Sequence, residues 1–362
     1  MNRIALVMIA RNEARCIQRC LHSARAFVDE MWVLDTGSSD DTPALAADCG
    51  ARVAAFDWVD DFSAARNVAL ALTDAPWRLV LDADEWIANT APARQVMRGL
   101  RHAAPDFVGL IPVLSQIDDG QGGQQQAPSW LPRVLPRGVV YSGRIHEQPV
   151  SNLSRRKLNL PVLHDGYQPE QRAAKVGRNR RLLVQALAAA PQDSYWHYQL
   201  GKDHEIEGEF EAAESHYAQA WPGCQPRAGW RHDLVLRRLF TLKKLARLEQ
   251  AMQLAEAEMP NWPQSPDFYF TLGDVLLELA AQLSAQEPAR AAELLPMIEA
   301  SWLRAIEIGE QPALQDRVSG RGSWLAAHNL AVFHASLGHV DRSQQWRQTA
   351  ARMRRIGGAQ RR

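Results

Sequence analysis

The sequence predicts two unlike parts, an α/β domain built on a parallel sheet and an all-helical domain after it. Three observations predict this. Strand-like and helix-like segments alternate from the N-terminus, a crowd of carboxylates closes the fourth strand, and strand signals stop after about residue 170 in favour of alanine- and leucine-rich helical spacing.

IALVMIA (4–10) is a continuous apolar run of the kind buried in a sheet, and residues 13–27 follow with Ile17, Cys20, Leu21, Ala24 and Phe27 on one helical side. EMWVLDT (30–36) is a second strand. Asp40 or Asp41 is placed to cap a short helix over TPALAADC. ARVAAFDW (51–58) is a third strand, Ser63 can cap the helix SAARNVALALT, and WRLVLDAD (77–84) is a fourth strand. Between about 105 and 168 the pattern turns mixed. FVGLIPVL (107–114) and KLNLPVLH (157–164) read as strands, DDGQGGQQQ (118–126) as a polar, mobile loop, and Pro128, Pro132 and Pro136 keep the next stretch extended or irregular.

The second part contains an internal repeat. Residues 194–220 carry Leu200-Gly201, Gly208, Ala213, Tyr217 and Ala220 at the offsets of the tetratricopeptide consensus, whose period is about 34 residues. Residues 326–353 repeat the pattern. FYFTLGDVLLELA (268–280) opens a third unit, whose second helix is expected at 300–309 after an insertion, and 228–259 reads as a degenerate unit. Stacked pairs of this kind form a concave surface suited to an extended partner. Trp196, Trp302, Trp324 and Trp346 fall at helix-pair positions and read as core, and the tail RRIGGAQRR as a frayed end.

With 362 residues the chain suits two domains, here 1–170 and 171–362. Lys plus Arg equals Asp plus Glu, at 41 each, which argues against general nucleic-acid or anionic-membrane binding. Cys16, Cys20, Cys49 and Cys224 lack the spacing of a zinc site and read as free thiols in a reducing compartment. The first apolar run is too short to span a membrane and has no cleavage site, so a soluble, cytoplasmic protein is expected.

In open parallel sheets, ligands bind beyond the carboxyl ends of the strands. There the sequence places Ala10-Arg11-Asn12-Glu13, Asp35-Thr36-Gly37-Ser38-Ser39-Asp40 and Asp82-Ala83-Asp84. Like charges crowded at a strand end cost stability unless a cation or polar ligand compensates. Asp-x-Asp suits Mn2+ or Mg2+, which take one or two carboxylates from the protein and the rest from phosphates and water. The plainer alternative is that Asp82 and Asp84 only cap the helix at 91–103; convergence with two other polar strand ends favours metal–phosphate binding.

The run MIARNE…CIQRCLHS…VDEMWVLDTGSSDDT…GARV…DW…DFSAARN…W…LVLDADE resembles family 2 glycosyltransferases of the GT-A fold, a Rossmann-like nucleotide-diphospho-sugar transferase architecture, over about residues 3–170. Two branches are similar: lipopolysaccharide-core glucosyltransferases, and the peptide S-glycosyltransferases of sublancin-type bacteriocins, which also join a GT-A domain to tetratricopeptide units. The resemblance implies that Ala10, Arg11 and Glu13 line the uracil and ribose pocket of a UDP-sugar. It implies that Asp35 bonds the uracil with Ser38 nearby, that Arg66 approaches the nucleotide or diphosphate, and that Asp82 and the adjoining Ala83 face the ribose while Asp84 binds the metal. VLDTGSSD has a single Asp before Thr where many members carry two.

The resemblance further implies inversion at the sugar carbon and a general base at Glu147, in GRIHEQ. His164 and His146 compete as a further metal ligand, each with the alternative of a hydrogen-bonded histidine lining the cleft. Arg133 and Arg144 can clamp diphosphate oxygens or remain solvated surface arginines. Trp77, Trp86 and Trp130 either border the sugar or pack in the core. The repeats favour a protein or peptide acceptor, though they can also serve homodimerisation. An envelope saccharide is the alternative acceptor, and a non-catalytic repeat scaffold the alternative outside enzymology.

Overall fold

The computed structural model describes residues 1–118, 124–164, 169–226, 228–311, 314 and 317–359. The chain divides into two compact units, Met1–Ala186 and Leu187–Arg362. Position 170/171 falls inside a continuous helix, Pro169–Ala189.

The first unit runs β1 (Ile4–Ala10), α1 (Ile17–Ala24), β2 (Glu30–Asp35), α2 (Thr42–Asp48), β3 (Arg52–Ala55), α3 (Phe62–Ala71), β4 (Trp77–Val80), β5 (Glu85–Ile87), α4 (Ala91–Leu100), β6 (Phe107–Asp118), β7 (Gln124–Pro136), β8 (Val140–Ser142), β9 (Gln148–Val150), β10 (Ser154–Lys157), β11 (Val162–His164) and α5 (Pro169–Ala189). The expected alternation is present. A nine-stranded sheet follows the order β3-β2-β1-β4-β7-β6-β11-β5, with β10 pairing β6. β1 lies parallel to β2 and β4, and β2 parallel to β3. The sheet becomes mixed at β7, which runs antiparallel to both β4 and β6.

Both faces of β1 are buried, which is why its sequence is an unbroken apolar run. Ile4, Leu6, Met8 and Ala10 face a core with Ile17, Leu21, Trp77 and Met97; Ala5 and Val7 face one with Ala65, Ala69, Val80 and Tyr141. Trp77 is therefore core. Trp86 is half-buried beneath the Arg19 guanidinium, 3.7 Å from its ring centroid.

Several local expectations are corrected. Asp61, not Ser63, caps α3: its carboxylate accepts from Ala64 N, and Ser63 donates to it. Thr90 caps α4, so neither Asp82 nor Asp84 serves that purpose. KLNLPVLH is interrupted, ending β10 and forming β11 on either side of 158–161. The proline-bearing stretch is extended, as expected, and forms β7, with one register shift where it passes Gly109 and Leu110. Of the expected loop DDGQGGQQQ, Asp118 and Gln124–Gln126 pair within β6 and β7, while 119–123 lie outside the described residues.

The second unit consists of helical hairpins: α6 (Ser194–Ile206) with α7 (Phe210–Ala220), α8 (Arg231–Lys244) with α9 (Leu248–Glu258), α10 (Pro266–Leu283) with α11 (Pro288–Ile308), and α12 (Trp324–Ser336) with α13 (Val340–Ala359). This is the tetratricopeptide-like architecture the repeat predicts. Close approach explains two glycines: a Cβ on Gly201 would come within 2.5 Å of the Tyr217 ring, and one on Gly273 within 2.5 Å of Trp302 Nε1. The anticipated insertion before residue 300 is instead the first half of α11, continuous through Pro296. Of the repeat tryptophans Trp302 is fully buried, and Trp196, Trp324 and Trp346 are half-buried. The tail expected to fray stays helical to Ala359, and 360–362 lie outside the described residues. Among the described residues no helix is long and apolar enough to cross a membrane.

Candidate active site

The parallel pairing aligns Ala10 with Asp35, so the loops after β1 and β2 leave the sheet side by side. Short polar contacts zip them together. Asp35 Oδ2 accepts from Gly37 N and Ser38 N at 3.2 and 3.0 Å, and Asp35 Oδ1 accepts from Ser38 Oγ at 2.5 Å. Ser38 Oγ accepts from Asn12 N at 2.9 Å, Thr42 Oγ1 from Glu13 N at 2.7 Å, and Asp40 Oδ2 from Ala14 N at 3.1 Å. Asn12, with a left-handed φ of 57°, returns its own Oδ1 to Ser39 N at 2.8 Å. The Ala10 carbonyl accepts from both Thr36 N and Thr36 Oγ1. Arg11 is exposed at this rim, and Glu13 Oε2 accepts from Cys16 Sγ at 3.2 Å. All four cysteines are free and buried, as expected.

After β4 the chain turns sharply through Asp82-Ala83-Asp84-Glu85. Glu85 N donates to the Asp82 carbonyl at 3.0 Å, and Asp82 N donates to Glu85 Oε2 at 2.9 Å. This reciprocal closure forces the carboxylates together. Two arginines compensate them. Arg133 Nη2 lies 2.6 Å from Asp82 Oδ2 and 2.7 Å from Glu85 Oε1. Arg66, from α3, reaches Asp82 Oδ1 with Nη2 at 2.6 Å and Glu147 Oε1 with Nε at 2.9 Å. Both arginines are almost fully buried, while the Asp82 side chain keeps 37% of its surface exposed. Burial alone would raise the Asp82 carboxyl, but Arg133 and Arg66 outweigh it and hold it well below the usual carboxylate range. Burial raises the Glu85 carboxyl, against the pull of Arg133.

The route by which Arg133 arrives here is specific. In the β6–β7 ladder Gly109 pairs with Val134 and Leu110 with Pro132, so Arg133 is skipped. A bulge of this kind re-aims a side chain.

On the other side of the turn, Asp84 is buried and its Oδ2 lies 3.3 Å from His164 Nε2, at the end of β11. The hydrogen bond to Asp84 raises the His164 pKa, against burial. His146 and Arg144 sit instead on the loop 143–147 that links β8 to β9, both exposed, His146 with a left-handed φ of 52°. Glu147 closes that loop and is half-buried. Among the described residues no three or more His, Cys, Asp or Glu side chains form a metal cage. Asp84 with His164 is a donor set of the sparse kind Mn2+ or Mg2+ accepts, and beside it the carboxylates of Asp82, Glu85 and Glu147 share two guanidinium groups. The residues present therefore fit a divalent cation.

The structure thus brings Arg66, Asp82, Ala83, Asp84, Arg133, Glu147 and His164 into one acidic corner, and Ala10, Arg11, Glu13, Asp35 and Ser38 into a separate rim beside it. Sequence reasoning assigned no role to Glu85, Asn12, Asn67 or Tyr141. Glu85 follows Asp82-Ala83-Asp84 directly, Asn12 stands in the polar run after the first strand and Asn67 ends the SAARN motif; Tyr141 carries no signal of its own.

An α/β unit with a parallel first half, an acidic turn after its fourth strand and polar loops after its first two has the architecture of a GT-A glycosyltransferase domain. Residues 5–159 match the family described as Glycosyl transferase family 2, and the N-terminal unit is a member of it. The TPR repeat-containing protein Synpcc7942_0270 of Synechococcus elongatus is 31% identical over 290 residues, covering 72% of this chain and 66% of that protein. The SPbeta prophage-derived glycosyltransferase SunS of Bacillus subtilis is 27% identical over 207 residues, covering 54% of this chain and 48% of that protein. This chain therefore spans about two thirds of one relative's length and about half of the other's. Among solved structures, MamA from Desulfovibrio magneticus RS-1 is 14% identical with a TM-score of 0.39, covering 51% of this chain and 89% of that one.

Proposed function

We propose that the protein is an inverting glycosyltransferase that moves a sugar from a UDP-sugar to a protein or peptide acceptor with the help of Mn2+ or Mg2+. The observation that carries this reading is the acidic corner itself: Asp82, Glu85 and Glu147 share Arg66 and Arg133, and Asp84 lies beside them against His164. Clustered titratable groups of this kind, shifted by burial and by one another, are common at functional sites.

Asp84 and His164 would hold the cation, which when bound supplies positive charge to a departing diphosphate. Arg66 Nη1 and Arg133 Nε are buried donors without a hydrogen-bond partner, as expected of a site completed by phosphate oxygens. Asp35 and Ser38 shape the rim that receives the uracil, with Ala10, Arg11 and Glu13 beside it, and Asp82 and Ala83 face the ribose. Arg144, exposed beside Glu147, is available to the diphosphate. Glu147, oriented by Arg66, takes the acceptor's proton as the nucleophile attacks opposite the leaving group. The helical repeats supply the acceptor surface, and the resemblance to sublancin-type enzymes favours a peptide. Four free cysteines suit a reducing cytoplasm.

Calorimetry with a panel of nucleotide sugars, with and without Mn2+, tests the donor and the metal together. Binding that needs neither uridine nor Mn2+, or that survives Asp84→Ala unchanged, removes the basis of the reading.

A further inference from the structure

Glu147 sits in a part of the fold that the main sheet does not hold. β8 and β9 pair only with each other among the described residues, forming a two-stranded ribbon separate from the nine-stranded sheet. Its loop, 143–147, carries Gly143 and His146 at positive φ and ends on Glu147. A carboxylate on such a ribbon is only as well placed as the ribbon's attachment to the rest of the domain.

That attachment is α3. Phe62 N donates to the Arg144 carbonyl at 2.9 Å, and Arg66 grips the Glu147 carboxylate. A further link is a clamp on the backbone of the ribbon's central residue. Asn67 Nδ2 donates to the Tyr141 carbonyl at 2.9 Å, and Tyr141 N donates to Asn67 Oδ1 at 2.7 Å. A carboxamide carries a donor and an acceptor side by side, so it satisfies one residue's N–H and C=O as a neighbouring strand would. Tyr141 is itself buried, its ring centroid 5.7 Å from the Arg66 guanidinium carbon. Neighbouring residues of one helix thus hold the reacting carboxylate and the strand that leads to it.

We propose that Asn67 is a positioning residue for glycosyl transfer: by clamping the main chain of Tyr141 it fixes where Glu147 stands relative to Arg66 and the acceptor. The proposal rests on the reading of Glu147 as general base. Asn67 touches neither donor nor acceptor in this account. Its loss therefore leaves nucleotide binding alone and slows the chemical step, because small misplacements of a catalytic group are expensive.

The test uses the full-length protein with Asn67→Ala, which removes both bonds, and Asn67→Leu, which removes them while keeping most of the volume. Hydrogen exchange reads the clamp, and hydrolysis of UDP-glucose, UDP-galactose and UDP-N-acetylglucosamine with Mn2+ reads the chemistry. Expected are faster exchange confined to 139–150 and a fall in kcat of about tenfold or more, with KM and the Kd for UDP within roughly twofold of wild type. Unchanged kcat in both variants overturns the role of Asn67, since the buried Tyr141 ring would then suffice to hold the ribbon. So does a loss of UDP affinity that parallels kcat with exchange rising throughout β1–β4, which marks general loosening. A wild-type protein inert towards every UDP-sugar overturns the glycosyl-transfer reading instead, and removes the catalytic purpose of Asn67 even where exchange reveals the clamp.

Discussion

Arg66 Nε stands 2.9 Å from Glu147 Oε1, joining a helix to a loop 81 positions further along the chain. The same guanidinium reaches Asp82 at the end of the fourth strand. One buried cation therefore sets the spacing between the carboxylate proposed to take a proton and the turn proposed to face the nucleotide. A bidentate, planar, permanently charged group does this where a lysine ammonium could not.

Glu147→Gln keeps an oxygen for Arg66 Nε but cannot accept a proton. Transfer to a hydroxyl acceptor is expected to fall by about 10²–10⁴-fold, with UDP affinity unchanged. Turnover and calorimetry on the same preparation separate the two, and near wild-type transfer by the variant removes Glu147 from the mechanism.

Arg66→Ala takes the buried arginine from Glu147 and leaves Asp82 with Arg133. Breaking a buried pair from one side costs about 3–5 kcal/mol, so the urea midpoint should drop markedly and activity should vanish with it. Arg66→Lys restores charge without the fork and should recover stability better than turnover. Equal recovery of both indicates that only charge is needed.

The strands that carry this site were readable because burial on both faces leaves an unbroken apolar signature in β1, and because turns at strand ends collect small and acidic residues. Asp82 and Asp84 were visible for that reason. What holds them was harder to see. Arg133 reaches Asp82 through a bulge beside Pro132, which no periodicity reports. The ribbon of β8 and β9 has only three residues in each strand, too few to show alternation. Asn67 and Tyr141 meet across 74 positions. The cap of α3 went to Asp61 because its carboxylate reaches Ala64 N, a choice between neighbours that spacing alone leaves open. In the repeats, small residues announced close packing at Gly201, but the length of α11 was hidden by Pro296, which the helix accommodates.

Asp84→Ala is expected to weaken Mn2+ binding in the presence of UDP by more than about tenfold, followed by electron paramagnetic resonance of the free ion. His164→Ala should weaken it less, since a water can replace an imidazole in an octahedral shell. Mn2+ affinity untouched by either change places the cation elsewhere.

Gly273→Ala tests the repeats independently of catalysis. Its Cβ would lie 2.5 Å from Trp302 Nε1, and that nitrogen donates to the Phe270 carbonyl at 3.2 Å, so the indole has little freedom to retreat. Overpacking of this kind costs about 1–3 kcal/mol. Chemical denaturation should register the loss while nucleotide-sugar hydrolysis stays at the wild-type rate.

His216 makes the stability of the repeats depend on pH. Its Nδ1 lies 3.0 Å from His197 Nδ1, and its ring stacks on His204 at 5.3 Å between centroids. His197 Nε2 lies 3.1 Å from the Pro191 carbonyl and so donates there, which leaves its Nδ1 to accept from His216. His204 Nδ1 faces Glu209 Oε2. Burial first, then His204 and His197, pull the His216 pKa from 6.5 down to about 4. The folded chain therefore refuses a proton that the unfolded chain accepts between those values. Stability is fully present above pH 6.5, declines as pH falls towards about 4, and loses nothing more from this group below that. His216→Gln keeps a donor for His197 and cannot titrate. Urea midpoints of the two proteins, followed across that window, should converge or cross as pH falls because only the wild type pays the protonation penalty. Curves that remain parallel assign the acid sensitivity to other groups.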